Sequence, residues 1–389
     1  MDDVRLGIIG IGNMGHGHIG NITLGRVPGC RVAAICDIEP AAYADIEADC
    51  PRFTDSKALI RSGEVDAVLI ATPHYGHTTI GIDALRQGLH VMVEKPISVH
   101  KADCERLIKA YDQRPRREQV FAAMFNQRTN PRYRRIRELI HRGELGAIRR
   151  VNWVITEWFR TFAYYASGGW RATWDGEGGG VLLNQCPHQL DLLQWMVGMP
   201  QRVRAHCRFG QWHDIEVEDD VTAYLEFPDG ATGVFVTTTG EAPGTNRLEI
   251  VGERGKLVEE AGSLRFIRNE VAMSEFSRST DQGFGKPPVW DCEIPIQGHG
   301  GGHAEVLSNF CAAVRGEAEL IAPAVEGINS VELANAMLLS TWQDKTVELP
   351  LAARSYERLL KRRIAESQDR PRKRRAVKRS SAADFAKSF

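Results

Sequence analysis

Arg5-Leu6-Gly7-Ile8-Ile9-Gly10-Ile11-Gly12-Asn13-Met14-Gly15 is the stretch from which the fold can be read. A short apolar run ends in glycines spaced G-x-G-x-x-G. A helix-permissive segment follows, and a second apolar run, Arg31-Val32-Ala33-Ala34-Ile35-Cys36, stops at Asp37. The order is strand, glycine turn, helix, strand, acid. Gly10 permits the tight turn, Gly12 lets backbone amides approach a pyrophosphate, and Gly15 lets the helix sit close to the sheet. The helix N-terminus, at Asn13 and Met14, offers free N–H groups and a partial positive charge to phosphates. Asp37 lies 22 positions after Gly15. There it can accept hydrogen bonds from an adenosine ribose and repel a 2′-phosphate, so NAD is expected in preference to NADP.

Two more strand–turn–helix units lie downstream. Val65 to Ile70 leads into Ala71-Thr72-Pro73-His74-Tyr75-Gly76-His77, and Leu89 to Val93 leads into Glu94-Lys95-Pro96-Ile97-Ser98. Near-continuous apolar runs suit parallel strands covered on both faces, and ligands bind beyond the carboxyl ends of such strands. Thr72, Pro73, His74, His77, Glu94, Lys95 and Asn126 are therefore candidates for the cofactor side. A lysine pressed against a cofactor in a partly apolar cleft loses proton affinity. Taken alone, Lys95 also reads as a surface lysine at a turn.

The whole chain sets outer bounds. Its 389 residues suit two domains of about 150 residues and a tail. A composition that is 43% hydrophobic and 25% charged excludes wholesale disorder, collagen-like repeats and membrane classes. No stretch reaches the roughly 18 apolar residues of a spanning helix, and the opening residues carry no leader pattern, so no secretory signal is expected. Eight scattered cysteines without a C-x-x-C pair read as reduced thiols of a cytoplasmic protein. Residues 361–389 hold 11 Lys and Arg against 3 Asp and Glu, leaving 38 against 47 for the rest. The body is mildly acidic. The basic tail, with Arg370-Pro371-Arg372-Lys373-Arg374-Arg375, has no interleaved aromatics for base stacking and is expected to be disordered, so nucleic-acid binding is not expected.

Past residue 125 the pattern changes. Asn126-Gln127-Arg128-Thr129-Asn130-Pro131 opens a basic helix reaching about His141. Long strands follow at Ile148 to Thr156, Val203 to Phe209, Asp220 to Phe227 and Thr232 to Thr239, the last two joined through a Pro228-Asp229-Gly230 turn. They predict an open, largely antiparallel sheet. Between them lies Gly178-Gly179-Gly180-Val181-Leu182-Leu183-Asn184-Gln185-Cys186-Pro187-His188-Gln189-Leu190-Asp191. If helical, Asn184, His188 and Asp191 share one polar face that needs a partner or ligand. From Glu157 to Trp174, seven of eighteen residues are aromatic, against 8% overall. Aromatic faces suit the C–H faces of a sugar or cyclitol, and Glu157, Trp170 and Arg171 could grip it. A packed loop or an oligomer contact is the plainer alternative. Gly298-His299-Gly300-Gly301-Gly302-His303 precedes a helix from Ala304 to Val314. The glycines argue against a metal site, which is not expected, and leave His303 as a substrate-lining candidate.

Gly10-x-Gly12-x-x-Gly15, Ala71-Thr72-Pro73-x-x-x-His77, Glu94-Lys95-Pro96, Asn126-x-Arg128-x-x-Pro131, Gly178-Gly179-Gly180 and His188-x-x-Asp191 stand in this order. As an ordered set they resemble the glucose–fructose oxidoreductase/inositol dehydrogenase/MocA (Gfo/Idh/MocA) family over roughly residues 3 to 350. The resemblance implies an α/β protein with a Rossmann domain at 1–125 and a second α/β domain at 126–353. The second domain would carry an open, mostly antiparallel sheet, often used for dimer or tetramer contacts, and a late helix near 325–342 packing back on the first. A basic tail at 361–389 completes the organisation. The resemblance also implies a nicotinamide cofactor and a sugar or cyclitol oxidised at a secondary alcohol. Lys95 and His188 match the family's lysine and catalytic histidine, and Arg128 falls among the substrate-side candidates. Position 184 departs from the pattern. It is usually aspartate, and asparagine cannot take up a proton near neutral pH.

The expected reaction needs a base for a hydroxyl proton while a hydride leaves the same carbon. His188 has a suitable intrinsic pKa, and Lys95 can polarise the oxygen. Two other readings stay open: a redox-neutral lyase or glycosidase using transient oxidation on bound NAD, and a non-catalytic NAD-and-sugar sensor.

Overall fold

A computed structural model describes residues 3–167 and 169–368 of the chain. Six strands, β1 (Val4–Ile9), β2 (Cys30–Cys36), β3 (Arg52–Phe53), β4 (Ala67–Ile70), β5 (His90–Val93) and β6 (Phe121–Ala123), form a sheet in the order β3-β2-β1-β4-β5-β6. Every neighbouring pair is parallel. All residues of β4 and β5 are buried, and apart from His90 they are apolar, as parallel strands covered on both faces require. The chain winds outward in both directions from β1. That switch point opens a crevice beyond the carboxyl ends of β1 and β4.

Nine strands build the second sheet: β7 (Ile148–Ile155), β8 (Arg202–Phe209), β9 (Glu218–Glu226), β10 (Thr232–Thr238), β11 (Asn246–Gly252), β12 (Gly255–Glu260), β13 (Ser263–Asn269), β14 (Val289–Glu293) and β15 (Val347–Glu348). Their order is β14-β13-β12-β11-β7-β10-β9-β8-β15, antiparallel throughout except for the β7–β10 pair. The β9–β10 hairpin closes as expected, with Phe227 N–H on Ala231 O and Gly230 at φ +86°. Strand β9 alternates buried Val221, Ala223 and Leu225 with Thr222, Tyr224 and Glu226, so one face is packed and the other open.

Two boundaries differ from the sequence reading. The helix Gly302–Val314 was expected in the second domain, yet its Val306, Leu307 and Phe310 complete the first domain's core with Leu6, Ile8 and Ile35. Beside it, Ala123 N–H bonds to Ala322 O, so the returning chain extends the parallel sheet's edge. The helix Gly327–Gln343 packs against both cores. Gly327 lies against Ile97, Val331 joins the first domain's core, and Leu333, Ala334 and Met337 join the second's. The tail begins later than residue 361, because the helix Ala353–Gln368 runs through it with Tyr356 and Leu360 buried one turn apart. The basic run at Arg370 to Arg375 lies outside the described residues. Among the described residues no helix is long and apolar enough to cross a membrane.

Candidate active site

The glycine turn shows three different reasons for glycine. Gly10 has φ +95°, and a Cβ there would sit 2.6 Å from the Ala71 carbonyl carbon. At Gly15 a Cβ would collide with the Gly10 carbonyl oxygen, because the helix Asn13–Thr23 closes directly on the strand. Gly12 meets nothing within 4 Å. Its missing side chain leaves open space over a helix N-terminus that has no side-chain cap. Asp37, at the end of β2, accepts the Ile11 N–H (2.7 Å) and the Glu39 N–H (2.9 Å) on separate oxygens. A carboxylate has further acceptor capacity, so a ribose diol can still be held there. Thr72 Oγ1 and Asn126 Oδ1 are buried without a partner among the described residues. Open space at Gly12, an uncapped helix, an acid beside the turn and orphaned polar atoms fit a dinucleotide.

Other candidates on this side have structural duties. The His77 ring lies between the carbonyls of Pro96 and Thr72, 2.8 Å from each, and ties the loops after β4 and β5 together. Burial lowers its proton affinity. His77 is therefore a strap and not a direct cofactor ligand. His74 Nδ1–H donates to the Glu177 backbone carbonyl (3.0 Å), and burial keeps its imidazole neutral. Pro73 caps the helix His74–Gln87 from outside.

Lys95 follows β5 and reaches across to the second domain, where Nζ donates to the Asn184 backbone carbonyl at 2.9 Å. Burial lowers its proton affinity, and the nearby Glu94 and Glu177 oppose that shift. Glu94 is itself buried. One of its oxygens meets His18 Nε2 at 2.7 Å and the other accepts the Lys95 N–H at 3.2 Å. Burial disfavours the Glu94 carboxylate, but His18 overrides this and holds its pKa down at about 2. The His303 ring packs edge-on against His18 (5.7 Å), and Asn126 Nδ2 donates to its Nδ1 (3.3 Å). Burial takes the His303 imidazole down to about 4.

His188 occupies the first turn of the helix Pro187–Val197. It is only 2% exposed, and neither ring nitrogen has a hydrogen-bond partner among the described residues. Burial, aided by the charges of Lys95 and His303, pushes its pKa well below that of a free imidazole. A buried imidazole lacking both bonds costs free energy unless a ligand supplies them. His188 is therefore neutral near pH 7, with both ring nitrogens open to a ligand.

The shared helical face expected for Asn184, His188 and Asp191 does not exist. Asn184 lies in the turn before the helix, which begins only at Pro187. Its side-chain Nδ2 donates to Glu177, a contact the sequence reading missed. Asp191 is on the helix but forms a bidentate pair with Arg128, 2.7 Å on each arm, and both side chains are 1% exposed. Arg128 also bonds Glu326 (2.6 Å) and the Ile321 carbonyl. Arg128 is thus a buried clamp between segments and not a substrate ligand. Glu157 is exposed and accepts from Asn246 on β11, apart from the lysine cluster. Trp170 stands edge-on to His74 (5.6 Å), and Arg171 stacks on Trp170 (4.7 Å) and Tyr164 (4.9 Å), so these two do reach the site. His18 and Glu177 were the unread members. The acid directly before the glycine triplet was the available signal for Glu177. Among the described residues no cluster of side chains could hold a metal ion.

Comparison with known proteins agrees with this geometry. Residues 4–122 match an oxidoreductase family with an NAD-binding Rossmann fold, and residues 133–258 match the GFO/IDH/MocA C-terminal domain. A 1-carboxy-3-chloro-3,4-dihydroxycyclohexa-1,5-diene dehydrogenase of Comamonas testosteroni is 27% identical over 276 residues, 70% of this chain and 66% of the relative. Inositol 2-dehydrogenase of Salmonella typhimurium is 30% identical over 147 residues, 37% of this chain and 43% of the relative. The matched stretches thus span under two thirds of either curated relative. The WlbA dehydrogenase from Bordetella pertussis, solved with NADH and UDP-GlcNAcA, superimposes with a TM-score of 0.74 at 26% identity, covering 90% of this chain and 99% of that one.

Proposed function

The chain belongs to the Gfo/Idh/MocA family of oxidoreductases, and from that premise we propose that it is an NAD-dependent dehydrogenase acting on a secondary hydroxyl of a sugar, glycoside or cyclitol. The observation that carries this reading is the buried, neutral and unpartnered imidazole of His188 close to Lys95. When bound, the dinucleotide supplies the hydride acceptor, held by the Gly10–Gly15 turn, Asp37 and Thr72. A ring nitrogen of His188 takes the hydroxyl proton. Lys95 Nζ has one proton committed to the Asn184 carbonyl and two left for the substrate oxygen, where they stabilise alkoxide character. Trp170 and Arg171 form a wall for the ring and its hydroxyls.

The position of Asp37 supports NAD over NADP. Eight free cysteines support the expected reducing, cytoplasmic compartment. Exposed Tyr224 and Val289, which share the open face of the nine-stranded sheet, support a homodimer or homotetramer built through that face. The test is a panel of glycosides, free sugars, sugar acids and inositols screened with NAD for NADH formation, with the keto carbon assigned by NMR. Product formed without NADH accumulation would favour the redox-neutral reading. Binding of NADH without turnover on any member would favour the sensor.

A further inference from the structure

The residues around position 184 carry an inference beyond that reading, though it rests on it. The family pattern places a carboxylate at 184, and this chain has an amide there. A carboxylate is nevertheless present at the same place in space. Glu177 is 2% exposed, and its two oxygens serve different segments. One accepts the side-chain Nδ2 of Asn184. The other accepts the Ala172 N–H at 2.6 Å, where the backbone sits at φ +55° directly after Arg171. The Glu177 backbone carbonyl receives the His74 ring. One buried residue thus joins Asn184, the Arg171 loop and His74.

We propose that Glu177 supplies the site with the carboxylate that position 184 lacks, as a positioning residue that holds the Asn184 side chain directly and acts on Lys95 through its charge. An ionised Glu177 only accepts hydrogen bonds, so it orders the Asn184 amide with Nδ2 inward and leaves Oδ1 as the acceptor. A protonated Glu177 could donate to Oδ1 and reverse the amide. The ionisation of Glu177 therefore decides which polarity the Asn184 side chain offers its other neighbours, while Lys95, bonded to the Asn184 backbone carbonyl, feels Glu177 through its charge. Burial raises the Glu177 pKa above the ordinary carboxylate value, and the charges of Arg171 and Lys95, with the bonds from Ala172 and Asn184, oppose that shift. The charged groups that bear on Lys95 are Glu94 beside it, Arg160 and Arg171 from the aromatic stretch, and Glu177. Glu94 is already bonded to His18, which leaves Glu177 as the acid on the second-domain side.

Three proteins test this: wild type, Glu177→Gln, and the double variant Glu177→Gln/Asn184→Asp, which returns a carboxylate from the neighbouring position. The first readout needs no substrate. The rate of Lys95 carbamylation by cyanate is followed against pH by peptide mass spectrometry. Removing a nearby negative charge favours the neutral amine, so the midpoint in Glu177→Gln should fall by about one pH unit and recover in the double variant. The second readout is turnover against pH on whichever substrate the panel identifies. Glu177→Gln should lose about 10–100-fold, with its alkaline limb moved to lower pH, and the double variant should regain most of both. Melting temperature and NADH binding control for folding. An unchanged labelling midpoint in folded Glu177→Gln overturns the proposal, as does a double variant that behaves like Glu177→Gln. If wild type oxidises nothing in the panel, the dehydrogenase reading fails while the labelling result still decides the role of Glu177.

Discussion

At the Gly10–Gly15 turn the molecule prepares its site with backbone, whereas from residue 157 to 191 it does so with side chains. The glycine turn holds no buried ion pair. Its geometry depends on a left-handed φ at Gly10, a close approach at Gly15 and empty space at Gly12. The second region brings its Arg171, Glu177 and Asn184 together with His74 and Lys95, from three separate stretches of chain. A backbone site tolerates any substitution that leaves its conformation and open space intact. A side-chain site is sensitive to charge, because each buried group sets the ionisation of the next.

The largest effect should come from the side-chain region. Lys95→Ala should lower turnover about 10²–10⁴-fold, the range for a positioned polarising or acid–base group, while NADH affinity changes far less. Steady-state kinetics and a fluorescence titration of NADH measure the two. Turnover within a few-fold of wild type would make Lys95 structural and remove the contrast between the regions.

Acid should unfold the protein through the same region. His303 is held near 4, and burial likewise lowers His74, His77 and His188. These rings are neutral when folded, but take up protons near pH 6.5 when unfolded. The unfolded state thus binds more protons as pH falls, and stability is lost between about 6.5 and 4, at about 1.4 kcal/mol per pH unit for each fully responding ring. Glu94, held at about 2, adds to the loss below its unfolded value. Urea midpoints measured from pH 7 to 4 read this directly. A flat profile would show that the rings are not neutral when folded.

Gly12→Ala and Gly15→Ala sharpen the comparison from the other side. A methyl at Gly12 meets open space, so melting should be unchanged while NADH affinity falls about tenfold to a hundredfold. At Gly15 the methyl meets the Gly10 carbonyl, and both stability and affinity should fall. If Gly12→Ala binds NADH normally, the open space is not where the dinucleotide lies.

Cofactor choice should give the smallest effect. Asp37 facing a 2′-phosphate should cost NADP about 1–3 kcal/mol, or roughly tenfold to a hundredfold in affinity. Calorimetric titration of both dinucleotides measures it. Equal affinity would mean that Asp37 serves only the Ile11 and Glu39 amides.

The same contrast explains how far the sequence could be read. Gly10, Gly12, Gly15 and Asp37 were legible because each constraint is local: strand, turn and helix follow within one short stretch, and the acid ends the next strand. Lys95 and His188 were legible through their motifs. Arg128 was misread because nothing local reveals that it faces Asp191, 63 residues away. Asn184 was misread for a nearer reason, since Pro187 opens the helix and leaves Asn184 in the preceding turn. His18 escaped notice because its contact with Glu94 lies across the fold, 76 residues away, and Glu177 because it meets Asn184 within an irregular turn that has no periodicity to read. A periodicity argument detects faces of elements, not meetings between them.

The return of the helix Gly302–Val314 into the first domain also has a consequence for synthesis. As the chain emerges from the ribosome, the nucleotide-binding half cannot close its core when its sixth strand appears. Val306, Leu307 and Phe310 are still more than 180 residues away in the sequence. The nine-stranded sheet gains most of its strands first. His303 sits at the head of the returning helix, so the segment that finishes the core also delivers an imidazole to the candidate site beside His18 and Asn126. A partly synthesised chain therefore lacks both the closed core and the complete site, and it acquires the two together.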